Sequence, residues 1–230
     1  MKKYIALLVT VLWIACPLLA TADIIGDVDL TMSYSSPTGV MTFPSPTGTI
    51  NVYLDYDVSL DGGPVDEAFC VENADGTTAT SRYTLLTIDS GLSNFGLDVD
   101  KFLAAAWIAQ YYYTNYEGTL SEETMKAAAQ IAVWEVIFDS SINLSSGNFK
   151  TSAYTTQASS ILAAMPSDLS NYSCTEWALA VSPTVEAGET VITEKFQNYL
   201  VRYHVPEPGI LLLLGFGLAG LSGMRRRLQK

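Results

Sequence analysis

The sequence predicts an α+β domain, a β-sandwich or barrel-like scaffold carrying a helical insertion. Three observations carry this. The first third alternates apolar and polar residues between Pro- and Gly-marked turns, the middle changes to an Ala-rich helical period, and strand-like runs return before the C-terminus.

The elements follow in order. Ser36-Pro37-Thr38-Gly39 recurs as Ser45-Pro46-Thr47-Gly48. Each is a turn signal, because Pro presets a turn φ and Gly accepts the positive φ that follows. Residues 39–43 between them read as a short strand of a hairpin, and two copies are too few for a solenoid. Residues 51–60 (Asn-Val-Tyr-Leu-Asp-Tyr-Asp-Val-Ser-Leu) have the alternation of a half-buried strand. Further strands are expected at 69–72, ending at the Asp75-Gly76 turn, and at 82–88. Residues 98–113, with Phe102, Leu103, Trp107 and Ile108 among alanines, predict a largely buried helix. Ser121 is a good N-cap, and Glu122 and Glu123 suit the positive end of the next helix, expected to reach 138. A third helix is predicted over 153–164, stopped by Pro166. Strands are expected again at 172–182 and 190–203, separated by Pro183 and the Ala187-Gly188 turn.

At the N-terminus Lys2 and Lys3 precede an apolar run over 4–19, and Ala20-Thr21-Ala22 supplies the small-x-small pattern a signal peptidase reads. Cleavage after Ala22 leaves Asp23 first and discards Cys16. A lipoprotein reading of Cys16 is disfavoured by bulky Trp13 three residues earlier and by Pro17 after it. The chain therefore divides into a signal peptide (1–22), one mature domain (23–204) and a C-terminal signal (205–230). The mature part is large enough to bury a proper core.

The chain carries a formal net charge of −12. Basic residues between the two terminal signals are confined to Arg82, Lys101, Lys126, Lys150, Lys195 and Arg202, and no Asp or Glu lies in the leader. Phosphate contacts need clustered Lys and Arg, so nucleic acid is excluded as a partner. An acidic surface also repels anionic lipid headgroups and favours solubility.

Val205-Pro206-Glu207-Pro208-Gly209 leads into the apolar run 210–224, then Arg225-Arg226-Arg227, with Lys230 last. The run is marginal against the ~20 residues a spanning helix needs. The arginines hold their end in the cytoplasm by the positive-inside bias, leaving Pro206-Glu207-Pro208 on the far side. Over 205–230 this order resembles the PEP-CTERM sorting signal of Gram-negative bacteria. The resemblance implies export, transient insertion in the inner membrane, cleavage near Pro206-Glu207-Pro208 by an exosortase, and delivery to the cell surface or extracellular matrix. An ordinary tail anchor is the competing reading.

Two cysteines survive leader removal, Cys70 and Cys174. In an oxidising compartment they are candidates for a disulfide, and a free buried thiol at Cys70 is a further reading. The surroundings of Cys70 add a third. Phe69-Cys70-Val71-Glu72, Ala129-Gln130-Ile131-Ala132-Val133-Trp134 and Phe196-Gln197-Asn198-Tyr199-Leu200-Val201 occur in that order. Together they resemble the motifs of the thioester domains of bacterial surface adhesins, the TQXA domains, over residues 69–201. Two positions depart from the pattern: Ala129 stands where the family has Thr, and Glu135 follows Trp134 where the family is apolar. The resemblance implies a thioester between Cys70 and Gln197, with Gln130 and Trp134 packed behind the bond from one helix face. Phe69, Trp134 and Phe196 are candidate shields against water. It implies covalent coupling to an amine- or hydroxyl-bearing partner and no cofactor. The alternative is a non-covalent structural or polysaccharide-associated surface protein with Cys70 and Cys174 paired.

The remaining candidates read as ordinary structure. His204, the single histidine, lies an odd number of residues from Gln197 and so faces the other way on an extended strand. Asp55, Asp57 and Asp61 have part of a calcium-loop spacing, but Leu60 stands where that loop needs Gly and Asp66 replaces its bidentate Glu. Tyr111-Tyr112-Tyr113 suits a helix end with mixed core and surface rings. No Ser-His-Asp set, zinc spacing or phosphate loop is apparent, so a turnover enzyme and a metal site are not expected.

Overall fold

A computed structural model describes residues 24–44, 47–72, 80–186, 189 and 197–203. The leader with Ala20 and Ala22, Phe196, His204 and the sorting segment (Pro206, Glu207, Pro208, Arg225, Arg226 and Arg227) lie outside the described residues, as do the Asp75-Gly76 and Ala187-Gly188 turns.

The chain opens with a long strand, β1 (Ile24–Phe43), which turns back into β2 (Gly48–Leu60). They pair antiparallel from Leu30↔Leu60 to Phe43↔Gly48. Ser45 and Pro46 of the second Ser-Pro-Thr-Gly string lie outside the described residues; Thr47 is in a turn and Gly48, which opens β2, takes a φ of 70° that a Cβ would oppose. The first is not a turn. It lies inside β1 at a register shift between Ser35 and Thr38, a bulge that bends the strand without reversing it. The half of β1 before this bulge, not read as a strand from sequence, alternates through Val28, Leu30 and Met32, of which Leu30 and Met32 are buried.

β3 (Val65–Cys70) pairs with β2, and β4 (Ser81–Thr87) pairs with the first half of β1. After the helical region come β6 (Trp177–Val181) and β7 (Tyr199–Arg202), which pair with each other. β7 lies against β3, and β6 against β4. The seven-stranded sheet, in the order β2-β3-β7-β6-β4-β1-β5, closes on itself through the extra β1–β2 pairing. Only the two-residue β5 (Lys150–Thr151) stands outside the ring, added at Met41 and Thr42 of β1. Every pairing is antiparallel, giving a barrel.

The insertion between β4 and β6 supplies three helices, α1 (Val99–Tyr116), α2 (Glu122–Phe138) and α3 (Thr155–Ala164). Asp98 caps α1, its carboxylate accepting from Lys101 N at 3.4 Å. At α2 the expected Ser121 cap is not made: the Ser121 hydroxyl sits 3.2 Å from that of Thr119, and Glu122 instead accepts from Gly118 N at 2.8 Å. α2 is buried without interruption from Met125 to Val136, so it runs as a core helix against barrel and neighbours. α3 ends before Pro166, which has no N–H to continue it. Residues 172–176, read as part of a strand, do not join the sheet. They alternate exposed and half-buried, and only the wholly buried stretch from Trp177 enters between β4 and β7.

Candidate functional site

Cys70 is the last residue of β3 and pairs directly with Tyr199, the first of β7. Gln197 precedes Tyr199 by two residues, so strand alternation sends both side chains to one side. On that side the Gln197 Nε2 and Cys70 Sγ are in contact, closer than a normal hydrogen bond. Cys70 is wholly buried and Gln197 nearly so.

The amide of Gln197 is held at both ends. Its Nε2 donates to the Glu72 carbonyl at 3.1 Å, and its Oε1 accepts from the Tyr199 hydroxyl at 3.0 Å. The Cys70 thiol donates to the same Glu72 carbonyl at 2.8 Å. The Glu72 carboxylate accepts from Asn198 Nδ2 at 2.6 Å and from Asn198 N at 3.3 Å, tying the chain after Gln197 to the chain after Cys70. Asn198 Oδ1 in turn accepts from Ser182 N at 2.9 Å, and Tyr83 donates to the Gln197 carbonyl at 3.1 Å.

α2 supports this pair from behind. Gln130, fully buried, accepts from Cys70 N at 2.9 Å and donates to Cys70 O at 2.8 Å. Its side chain acts as an extra strand partner for the cysteine backbone. Two turns along the helix face from Lys126 and one from Gln130 stands Trp134. Its ring packs edge-on against Phe43 with centroids 5.1 Å apart, and against Phe149 at 5.9 Å. Its indole N–H is buried without a hydrogen-bond partner.

Burial governs the electrostatics. It pushes the Cys70 thiol well above its ordinary range, and the hydrogen bonds to the Glu72 backbone and the Gln197 side chain only partly offset this. The carboxyl of Glu72 is raised to about 7 by burial, against the lowering effect of the two Asn198 bonds. The Tyr199 phenol is raised beyond any physiological pH, by burial first and then by the nearby Cys70, so it stays protonated and able to donate.

Of the residues singled out from sequence, Cys70, Gln130, Trp134 and Gln197 come together. Phe69 does not cover the sulfur. The next residue in the strand faces the opposite side, and its ring packs on Tyr112 at 5.7 Å and Trp177 at 5.6 Å, behind β3. Cys70 and Cys174 are both free, and the Cys174 thiol donates to the Trp177 carbonyl at 3.4 Å. Glu135, the departure after Trp134, is buried and accepts from Asn143 N, bracing the loop after α2. Asp61 accepts from Asp29 N at 2.8 Å and belongs to a turn, which separates it from Asp55 and Asp57. Of the three tyrosines ending α1, Tyr111 stacks on Trp107, Tyr112 is buried, and Tyr113 lies 3.6 Å from the Arg202 guanidinium. Sequence reasoning missed Tyr199, Glu72, Asn198 and Tyr83. Tyr199 carried a usable signal, its i+2 spacing from Gln197.

Two family models match the chain. The thioester domain matches residues 67–167, and the PEP-CTERM protein-sorting motif matches residues 204–227. No curated protein and no solved structure matches it. The thioester domain match runs from β3 through α1, α2 and α3, and so includes Cys70, Gln130 and Trp134. Thioester domains of this kind are adhesin modules and not turnover enzymes. Among the described residues no helix is long and apolar enough to cross a membrane. With these motifs in order on this fold, the chain carries a thioester-domain match and a PEP-CTERM sorting match, which support export to the cell surface or beyond it.

Proposed function

We propose that Cys70 and Gln197 form an intramolecular thioester through which the protein couples covalently, once, to a nucleophile on a partner. The observation that carries this reading is the side-chain contact between Cys70 Sγ and the Gln197 amide inside a solvent-excluded site. In forming the bond, the sulfur attacks Gln197 Cδ, the thiol proton passes to the departing nitrogen, and ammonia leaves. An amide is a poor acyl donor, and holding the partners in place offsets up to ~7–11 kcal/mol of the barrier. Tyr199 donates to the oxygen on which negative charge develops. Glu72 and Asn198 are positioning residues that fix the two chain segments.

An amine, or less readily a hydroxyl, then attacks the same carbon. Its proton goes to sulfur, the C–S bond breaks, and Cys70 is free again. The protein is consumed in one turnover. Folded mature domain incubated with a fluorescent primary amine is expected to label at Gln197 and expose one thiol at Cys70. Labelling rises with pH over the mildly alkaline range as the amine deprotonates. Cys70→Ala and Gln197→Glu abolish it, and equal labelling of these variants sinks the proposal.

In the same reading the sorting segment inserts transiently in the inner membrane of a Gram-negative cell and an exosortase removes it, freeing the mature domain (23–204). The surface form then ends near Glu207 and lacks Arg225, Arg226 and Arg227. Replacing Pro206, Glu207 and Pro208 with alanine leaves a longer, membrane-retained form. Recovery of Leu228-Gln229-Lys230 from the surface protein contradicts processing.

A further inference from the structure

One turn before Gln130, the same face of α2 carries Lys126, and its surroundings are unlike those of an ordinary surface lysine. The side chain is 2% exposed, and its Nζ is in contact with Glu67 Oε2, closer than an ion pair. It donates to the Tyr56 carbonyl at 3.2 Å and lies 4.6 Å from the Phe69 ring centroid and 5.4 Å from that of Tyr112. Glu67 is directly across the β2–β3 ladder from Asp57, and Asp55 is two residues along on the same face. Carboxylate oxygens of Asp55, Asp57 and Glu67 lie within 4.8 Å of one another. The spacing would suit a cation, but the lysine amine already occupies that place, 4.0 Å from Asp55 and against Glu67.

We propose that Lys126 and Glu67 join in an amide cross-link, a second self-made bond chemically independent of Cys70. The amine nitrogen attacks Glu67 Cδ, forming the C–N bond. Asp57 takes two protons in turn from the nitrogen and hands them to the carboxyl oxygen, which departs as water as the C–O bond breaks. Starting from ammonium and carboxylate, the three nitrogen protons end as one on the amide and two on the water, and no other reactant is needed. Two conditions assist. Burial lowers Lys126 to about 8, so the free amine is accessible near neutral pH, and burial raises Asp57 so that it can carry a proton. A cavity of about 350 Å³ bordered by Asp55, Asp57, Glu67 and Lys126 gives the water a way out. The bond would pin α2 to β3 just short of the place where Gln130 and Trp134 meet Cys70, holding the thioester's support in register.

The test is mass spectrometry of the wild-type mature domain after denaturation and hydroxylamine treatment, which opens thioesters and leaves amides intact. The expected result is a branched peptide joining the Lys126 and Glu67 segments, lighter by about 18 Da than the two peptides summed. Lys126→Arg and Asp57→Asn should yield the two peptides separately, while Cys70→Ala should keep them joined. Wild-type protein that releases an unmodified Lys126 peptide overturns the cross-link and leaves a buried ion pair. Since the wild-type digest decides, a variant that fails to fold does not obscure the answer. A missing thioester would show separately, as loss of the hydroxylamine-sensitive change.

Discussion

Removing one oxygen at Tyr199 is expected to slow formation of the proposed thioester by on the order of 10²–10³, the usual loss for one oxyanion donor. The Tyr199 hydroxyl is the one side-chain donor to Gln197 Oε1 among the described residues. That oxygen becomes the oxyanion when sulfur adds to Gln197 Cδ. Tyr199→Phe keeps the ring, which packs at 6.2 Å from both Tyr56 and Tyr83, so the fold should persist. Refolding the reduced domain and following loss of ammonia by mass against time measures the effect. A variant that closes the bond at the wild-type rate would assign oxyanion stabilisation elsewhere.

Trp134→Ala should act on both stability and lifetime of the bond. The indole is 1% exposed and wedged between Phe43 and Phe149, and truncating a buried Trp costs about 3–5 kcal/mol. Urea unfolding should show this as a lower midpoint. The vacated space also opens a route for water to the acyl carbon beside Cys70. A thioester formed in the variant should therefore hydrolyse faster, read as release of a free thiol without added amine. A variant with lowered stability but wild-type thiol release would make Trp134 a packing residue with no shielding role.

How much of this was legible in the sequence depends on how each residue announces itself. Cys70, Gln130 and Gln197 stand in short local strings, and a string survives without knowledge of the fold. The α+β division was visible because the apolar period changes where α1 begins and changes back before β6. Tyr199 was within reach of local reasoning, two residues from Gln197 on the same face, whereas Glu72 and Asn198 act through a contact between segments more than 100 residues apart, and local pattern holds no trace of such pairing. Phe69 was misassigned for a simple reason. It adjoins Cys70 in sequence, and in a strand adjacency means opposite faces. The first Ser-Pro-Thr-Gly string failed likewise: read as a turn, it makes a bulge within β1, where β2 continues to pair on both sides of it. Lys126 was counted among the few basic residues and passed over, although its place one turn before Gln130 put it on the helix face that meets β3.

Everything proposed for function rests on the bond between Cys70 and Gln197, and intact mass of the folded, unreduced mature domain tests it most directly. Thioester formation expels ammonia, so wild type should weigh about 17 Da less than its Cys70→Ala variant after correction for the substitution, whatever Lys126 and Glu67 contribute to both. Methylamine should then remove the deficit and add its own mass at Gln197. A wild-type protein showing no mass difference dependent on Cys70, or one of only about 2 Da that depends equally on Cys174, would contradict the account.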